Sequence, residues 1–431
     1  MSKNKKTVES RRNFLKASAA GAAGIMIAGT RKKALAQNGS PWPATGYMQI
    51  NPNIDNCRVV CLTDPSMLKR QTYTEFVDAN NNAIDQAKVK ANIDKMACCL
   101  ARKNTAAEAW PLIFRKPTAK TWAQVKVAIK TNANYHYSPC VGVIGKLCEV
   151  LNGFGVPYAN ITLYDGGNAS GTGCTDRYTP FKTNGMLPPI NIINQGATYG
   201  IVVSVSGYGN FNTNCMTAVR DADILISAAV DKGHDRNYEF GGVTMTIKNH
   251  VGTINFAHPT LASQALQNQY NLSIITNYHK HEAILGMPTA DVPVKQQLAF
   301  VDSTWVGQPG SWEGFIENES KVLNTLVMGT FVGAVDYLTT KKIRVKAYPS
   351  ETNLNWGFIN RYMTDFGYTD AERVALETMD PTTDPLGRGL ADAGSTTTRD
   401  DVDAKIAGLK AGSATQADVL AVIKKYRNNG V

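Results

Sequence analysis

Seven consecutive residues, Ile224–Val230 (ILISAAV), form an apolar run bounded by acidic residues. A run of that length and composition suits a strand covered on both faces, as inside a parallel sheet with helices on either side. A second constraint lies upstream. Residues 125–129 read as a core strand and residues 138–153 as a helix, with Pro139 in its first turn and Val143, Leu147, Val150 and Leu151 on its apolar face. Ile161–Tyr164 is the next strand. Strand, helix and strand in close succession make a βαβ unit, which requires a parallel pair and a right-handed crossover. The expected fold class is α/β: a largely parallel or mixed open sheet flanked by helices, with a small helical carboxyl-terminal appendage.

The remaining pattern fits that class. Residues 83–102 have helical spacing, and Thr105 with Glu108 is a capping-box pair that opens a short helix containing Pro111. Two apolar runs fall within residues 190–206, and residues 261–285 read as a helix. Residues 297–301 read as a strand ending in Asp302, and the apolar stretch 326–335 leads to Asp336. From Asp380 the composition turns to Pro, Asp, Gly and Thr, followed by two short helices near 400–409 and 416–426. The expected organisation is a leader at 1–36, a segment packing on the core at 37–124, the α/β core at 125–345, a connecting segment at 346–379 and the appendage at 380–431.

The strand ends carry the chemistry. The run at Ile224–Val230 closes in Asp231-Lys232-Gly233-His234, which sets two basic side chains where ligands of open α/β sheets bind. Gly241-Gly242 breaks the chain, and residues 243–247 (VTMTI) read as a β-branched strand that delivers Lys248, Asn249 and His250. Lys130 and Asn132 follow the strand at 125–129 in the same way. Lysine is rarely buried without a partner. Two lysines, an amide and imidazoles at strand ends can make a cationic, donor-rich pocket for a small anionic or carbonyl ligand. The alternative is a pair of solvated loops with ordinary surface basic residues, and spacing alone leaves both open.

Three of the six histidines, His234, His250 and His258, lie in this stretch and are the weak candidates for a metal, whose identity the sequence does not give. His279 and His281 would share a face on a strand, but on a helix they diverge by about 200°, which prevents joint chelation. Residues 166–173 (GGNASGTG) follow a strand but match neither glycine-rich phosphate fingerprint, so they read as an ordinary loop.

The amino terminus fixes the destination. Ser10-Arg11-Arg12-Asn13-Phe14-Leu15-Lys16 is a twin-arginine motif, residues 17–30 are a mild apolar segment, and Ala34-Leu35-Ala36 is a cleavage site, so the mature chain begins at Gln37. The order of these parts resembles the signal peptides of the bacterial twin-arginine pathway. The resemblance implies the twin-arginine translocase as a partner, export in the folded state, and a periplasmic or secreted protein with no permanent membrane anchor. That route often serves proteins that take up a cofactor before export; the sequence names none. Residues 1–36 hold nine Lys/Arg and one acidic residue, leaving 36 basic against 34 acidic residues in the mature chain. The basicity belongs to the leader, and no basic patch with interleaved aromatics indicates nucleic acid.

Eight cysteines, an even number in an exported protein, lead to an expectation of one or two disulfides without a defined pairing. No C-x-x-C occurs, which excludes zinc-ribbon, ferredoxin-type and thioredoxin-type motifs.

Taken in order, VAIKTN, ITLYDG, DILISAAVDKGH, GVTMTIKNHVGTI, LAFVDS and GAVDY resemble the bacterial and archaeal family called domain of unknown function 362, over about residues 125–337. The family's K-x-H turn corresponds to Lys232-Gly233-His234, and its T-x-x-x-K-N-x-x-G segment to Thr244, Lys248, Asn249 and Gly252. Its early Lys/Asn pair matches Lys130 and Asn132, and its late acidic positions match Asp302 and Asp336. The chain lacks the cysteine runs of the iron–sulfur module that some members carry, and Ala229-Val230-Asp231 replaces the family's proline-containing approach. The resemblance implies an architecture and a site rather than a reaction.

Three functional classes follow. In an exported enzyme, oxidoreductase-like or dependent on a metal or cofactor, His234, Lys232 and Lys248 would be catalytic. Lys130, Asn132, Asn249, Asp302 and Asp336 would bind or orient. A non-catalytic binding protein would use the same pocket for retention alone. An assembly or structural protein would use the carboxyl-terminal helices as its contact surface.

Overall fold

The computed structural model describes residues 49–69, 83–133, 138–165, 173–194, 196–205, 209–233, 243–253, 282–286, 288–308, 320–349, 357–377, 389–394 and 399–429. β1 (Arg58–Thr63) is followed by the Gln86–Ala101 helix, whose first turn is capped by Asp85, its carboxylate accepting the amide of Lys88. The Ala106–Ile113 helix begins with the expected capping box of Thr105 and Glu108. β2 (Val127–Thr131), the Val141–Gly153 helix and β3 (Ile161–Tyr164) form the βαβ unit, with β2 and β3 parallel. Pro139 lies just before the N-cap Cys140 rather than inside the first turn, because Cys140 is still extended.

The Cys174–Thr183 helix leads to β4 (Asn191–Ile193), parallel to β3. β5 (Thr198–Val205) and β6 (Gly209–Met216) pair with each other as an antiparallel ribbon apart from the main sheet. β7 (Ile224–Val230) is buried at every residue and lies between β2 and β10 (Gln296–Val306), parallel to both. β8 (Lys232–Gly233) and β9 (Val243–Thr244) form a two-residue antiparallel pair. β11 (Lys321–Gly329) runs antiparallel to β10 and to β1, and β12 (Gly389–Asp392) lies parallel to β1 at the edge. The sheet of eight strands is therefore mixed, in the order β12-β1-β11-β10-β7-β2-β3-β4. It draws strands from residues 37–124 and from beyond residue 380 as well as from the middle of the chain.

Alternation along the strands feeds both faces. Ile224, Ile226 and Ala228 of β7 join the core built on the Val141–Gly153 and Gln86–Ala101 helices. Leu225 joins Tyr164, Val219 and Ile284 in a smaller cluster. Ala299 and Val301 of β10 face the cluster containing Val335, Tyr362 and Phe366. Each fully buried Ile or Leu in these layers contributes about 1.5–3 kcal/mol. The Arg399–Lys410 and Gln416–Asn429 helices pack on each other, and the second lies against β12.

Two expectations change. Residues 243–247 are not one strand: β9 stops at Thr244 and a turn of helix, Thr246–Asn249, follows. The carboxylate of Asp336 accepts the amides of Thr246 (2.9 Å) and Ile247 (2.7 Å), so a helical start is satisfied in place of a strand ladder. The stretch 326–335 divides between β11 and the Val332–Leu338 helix. None of the eight cysteines is in a disulfide, and seven of them are buried, so the expected disulfides are not formed. The helix expected at 261–285 falls outside the described residues except for Glu282–Leu285, which is helical.

Candidate site at the β2–β7 switch point

After β2 the chain moves outward through β3 and β4, then returns to place β7 on the opposite side of β2. The strand order thus reverses between β2 and β7, and the carboxyl ends of strands at such a reversal open into a crevice. Lys130, Thr131 and Asn132 end β2, Tyr164 and Asp165 end β3, and Asp231 and Lys232 follow β7.

Lys130 is 1 % exposed, and its ammonium has three acceptors: Asp165 Oδ1 at 2.6 Å, the Thr131 carbonyl at 2.8 Å and Asn249 Oδ1 at 3.2 Å. Three N–H groups meeting three acceptors define a protonated lysine. Its Nζ also lies 5.8 Å from the centre of the Tyr164 ring. Asn249 ties the two strand ends together: its Nδ2 donates to the Lys130 carbonyl (2.8 Å) and to Ser227 Oγ (3.0 Å), while Ser227 donates to the Thr246 carbonyl (2.8 Å). Asn132 does the same one step further on. Its Oδ1 accepts the Val230 amide (2.8 Å) and its Nδ2 donates to the Val230 carbonyl (3.0 Å), continuing the β2–β7 ladder with a side chain.

Lys232 is 5 % exposed and, among the described residues, its side chain makes no hydrogen bond or ion pair. Burial pushes its amine down to about 8; Asp165 opposes the shift and Lys130 adds to it. Asp165 and Lys130 therefore both act on Lys232. Lys248 is buried on the same turn of helix as Asn249.

The other sequence candidates are committed elsewhere. Asp302 accepts the backbone amides of Cys140 (2.9 Å) and Thr304 (3.0 Å), which anchors the start of the Val141–Gly153 helix to β10. Asp336 caps Thr246–Asn249, and burial pushes its carboxyl up to about 7 against the donors of Thr246 and Ile247. His250 is a satisfied core histidine. Its Nε2 pairs with Gln296 Oε1 (3.0 Å) and its Nδ1 with Thr253 Oγ1 (3.3 Å), which also meets the Tyr164 hydroxyl (3.0 Å). Both ring nitrogens are occupied, so this arrangement offers none to a metal. Among the described residues no three His, Cys, Asp or Glu side chains cluster as a metal site. His234 and His258 lie outside the described residues.

Two residues absent from the sequence candidates hold the site. Asp165 carries the carboxylate, and Arg344 fixes the segment that bears Lys232. Arg344 forms a fully buried ion pair with Asp231 (2.8 Å) and donates to the Gly307 carbonyl (2.7 Å); Ser303 also donates to Asp231 (3.1 Å). Arg344 closes a six-residue π-helical stretch, Thr339–Arg344, a form that often accompanies functional sites. The available signal for Asp165 was its place directly after a strand; Arg344 had none beyond lying in a basic, otherwise apolar stretch.

The family description that matches the chain is the twin-arginine translocation pathway signal sequence, over residues 10–28. The chain is therefore exported across the membrane, and the twin-arginine translocase is its partner in export. No curated protein matches the chain. Among the described residues no helix is long and apolar enough to cross a membrane.

Proposed function

We propose that this is a periplasmic enzyme or redox-associated protein that holds a small anionic substrate or cofactor at the β2–β7 switch point. The observation that carries the reading is charge: two buried lysines, Lys130 and Lys232, stand at adjacent strand ends with Asp165 as the carboxylate acting on both. Asp165, at 2.6 Å, compensates Lys130, whose three N–H groups are all taken by protein acceptors. Among the described residues the charge of Lys232 is left without a carboxylate of its own in a low-dielectric site, which is costly, and an anion placed there removes the cost. His234, two residues on, is the acid/base partner in this reading, and Lys248 is the third cation. Membership of the domain of unknown function 362 family belongs to the same proposal. Its support is the ordered set Lys130, Asn132, Lys232, Lys248 and Asn249, all of them buried polar residues.

The test is a melting-temperature screen of the exported, folded protein against phosphate, dicarboxylates and oxo acids, with native mass spectrometry and elemental analysis of anything retained. A hydrogen bond to a charged group contributes about 1.5–3 kcal/mol, so Lys232→Met is expected to weaken the best anion about ten- to hundredfold. Equal response of wild type and variant to every anion would remove the site.

A further inference from the structure

We propose that Lys232 is a nucleophilic amine that captures the carbonyl carbon of a small oxo acid as an imine. This rests on the anion-site reading and assigns it a ligand class. The geometry divides two chemically identical side chains into different roles. Lys130 has all three N–H groups engaged, by Asp165, the Thr131 carbonyl and Asn249, so it has no lone pair to offer and stays a cation. Lys232 is as deeply placed, yet among the described residues no acceptor holds it as an ammonium. A lysine desolvated beside another cation is the arrangement that frees an amine for attack on a carbonyl. The direction of its shift agrees: burial first, with Lys130 adding to it and Asp165 opposing.

The arrangement around it suits a reaction at this position. The segment bearing Lys232 is fixed on one side by the Asp231–Arg344 pair and on the other by the pairing of Lys232 with Thr244. The main chain at Lys232 is therefore held in place. The step balances without an oxidant. The neutral Nζ attacks the carbonyl carbon, the carbonyl oxygen gains a proton, and the carbinolamine expels that oxygen as water, leaving C=N. An amine and a carbonyl become an imine and one water.

The experiment uses the mature, exported protein, incubated at pH 8 with pyruvate, glyoxylate or 2-oxoglutarate and sodium cyanoborohydride. The reductant delivers hydride to the imine carbon and traps a secondary amine. The expected result is one adduct per chain by intact mass, located at Lys232 by peptide mapping and suppressed by the anion that raises the melting temperature most. Lys232→Arg keeps a cation for the anion but cannot form the imine, so it is expected to retain the melting shift and lose the adduct. Lys130→Met is expected to move the pH midpoint of trapping upward, which a merely structural loss would not do. A melting shift in wild type with no adduct at Lys232 overturns the imine and leaves the anion site. An adduct spread over surface lysines, or unchanged in Lys232→Arg, also overturns it. Neither adduct nor melting shift overturns both readings. Peptide mapping of the wild type decides the matter even if a variant fails to fold.

Discussion

Lys232 gives the most direct handle at the scale of single residues, because its burial leaves a mark on stability as well as on binding. Its folded-state value of about 8 lies below that of an unfolded lysine. Above pH 8 the folded chain gives up the proton while the unfolded chain keeps it, so the unfolded state binds more protons and stability rises with pH up to about 10.5. Wild type is thus expected to gain about 3 kcal/mol from this residue across that window, and Lys232→Met to lack the gain. Urea denaturation of both proteins at pH 8 and 10.5 measures the difference; parallel curves would show that Lys232 is solvated. Lys130, Asn132 and Lys232 stood out in the sequence because each follows an apolar run, and the structure buries all three. Their partners were not legible. Asp165 meets Lys130 only because β3 pairs with β2 in a register that sets Tyr164 opposite Lys130. Arg344 reaches Asp231 from 113 positions away in the chain. Burial also separates residues that look alike in sequence: His250 turns out to be filled on both nitrogens by Thr253 and Gln296.

Among the elements, the turn at Thr246–Asn249 shows where local preference yields to a tertiary contact. Its residues are β-branched enough to read as a strand, but Asp336, delivered from another helix, accepts both leading amides and the Thr246 hydroxyl. This turn carries Asn249 to Lys130 and Ser227, so the cap positions the residue that ties β2 to β7. Burial raises the Asp336 carboxyl to about 7, well above an unfolded aspartate. A raised acid contributes stability that is complete below about pH 4 and is lost as pH rises through about 7. The stability advantage of wild type over Asp336→Asn is therefore expected to shrink by up to about 4 kcal/mol between pH 4 and 7.5. An advantage that grows over that range would mean that the three donors outweigh burial. Elsewhere the apolar runs identified β2, β3 and β7, and the two runs within residues 190–206 fall on β4 and β5. β12 was hidden because Gly-Leu-Ala-Asp has no pattern and becomes a strand only by pairing with the exposed edge of β1. β10 was seen only in part, since Asp302, Ser303 and Thr304 are polar residues inside a buried strand, where Asp302 and Ser303 have their own hydrogen-bond partners.

For the whole molecule, the export route and the thiols form one problem. An even number of cysteines in an exported chain led to an expectation of disulfides, yet none of the eight is in a disulfide and seven are buried. Burial accounts for their inertness: it pushes the Cys61 and Cys99 thiols up to about 12, and Cys140 and Cys174 well above the ordinary value. A thiol that does not ionise neither attacks nor is readily oxidised. That protection exists only once the core has closed. A chain crossing the membrane unfolded would present eight reactive thiols to an oxidising compartment, with on the order of 100 ways to pair them completely. A chain that folds first, as the twin-arginine signal at residues 10–28 directs, crosses with seven of its eight thiols already buried. Replacing the leader with one for the general secretion route is therefore expected to yield disulfide-linked, misfolded protein, read as lost mass on intact analysis and altered mobility on a non-reducing gel. The native leader is expected to yield eight titratable thiols after denaturation. Changing the buried cysteines to alanine, or to serine where a partner for the hydroxyl is at hand, is expected to restore folding through the general route. Should the rerouted wild-type chain fold with all eight thiols free, the thiols do not set the route, and a cofactor acquired before export becomes the better explanation of the signal.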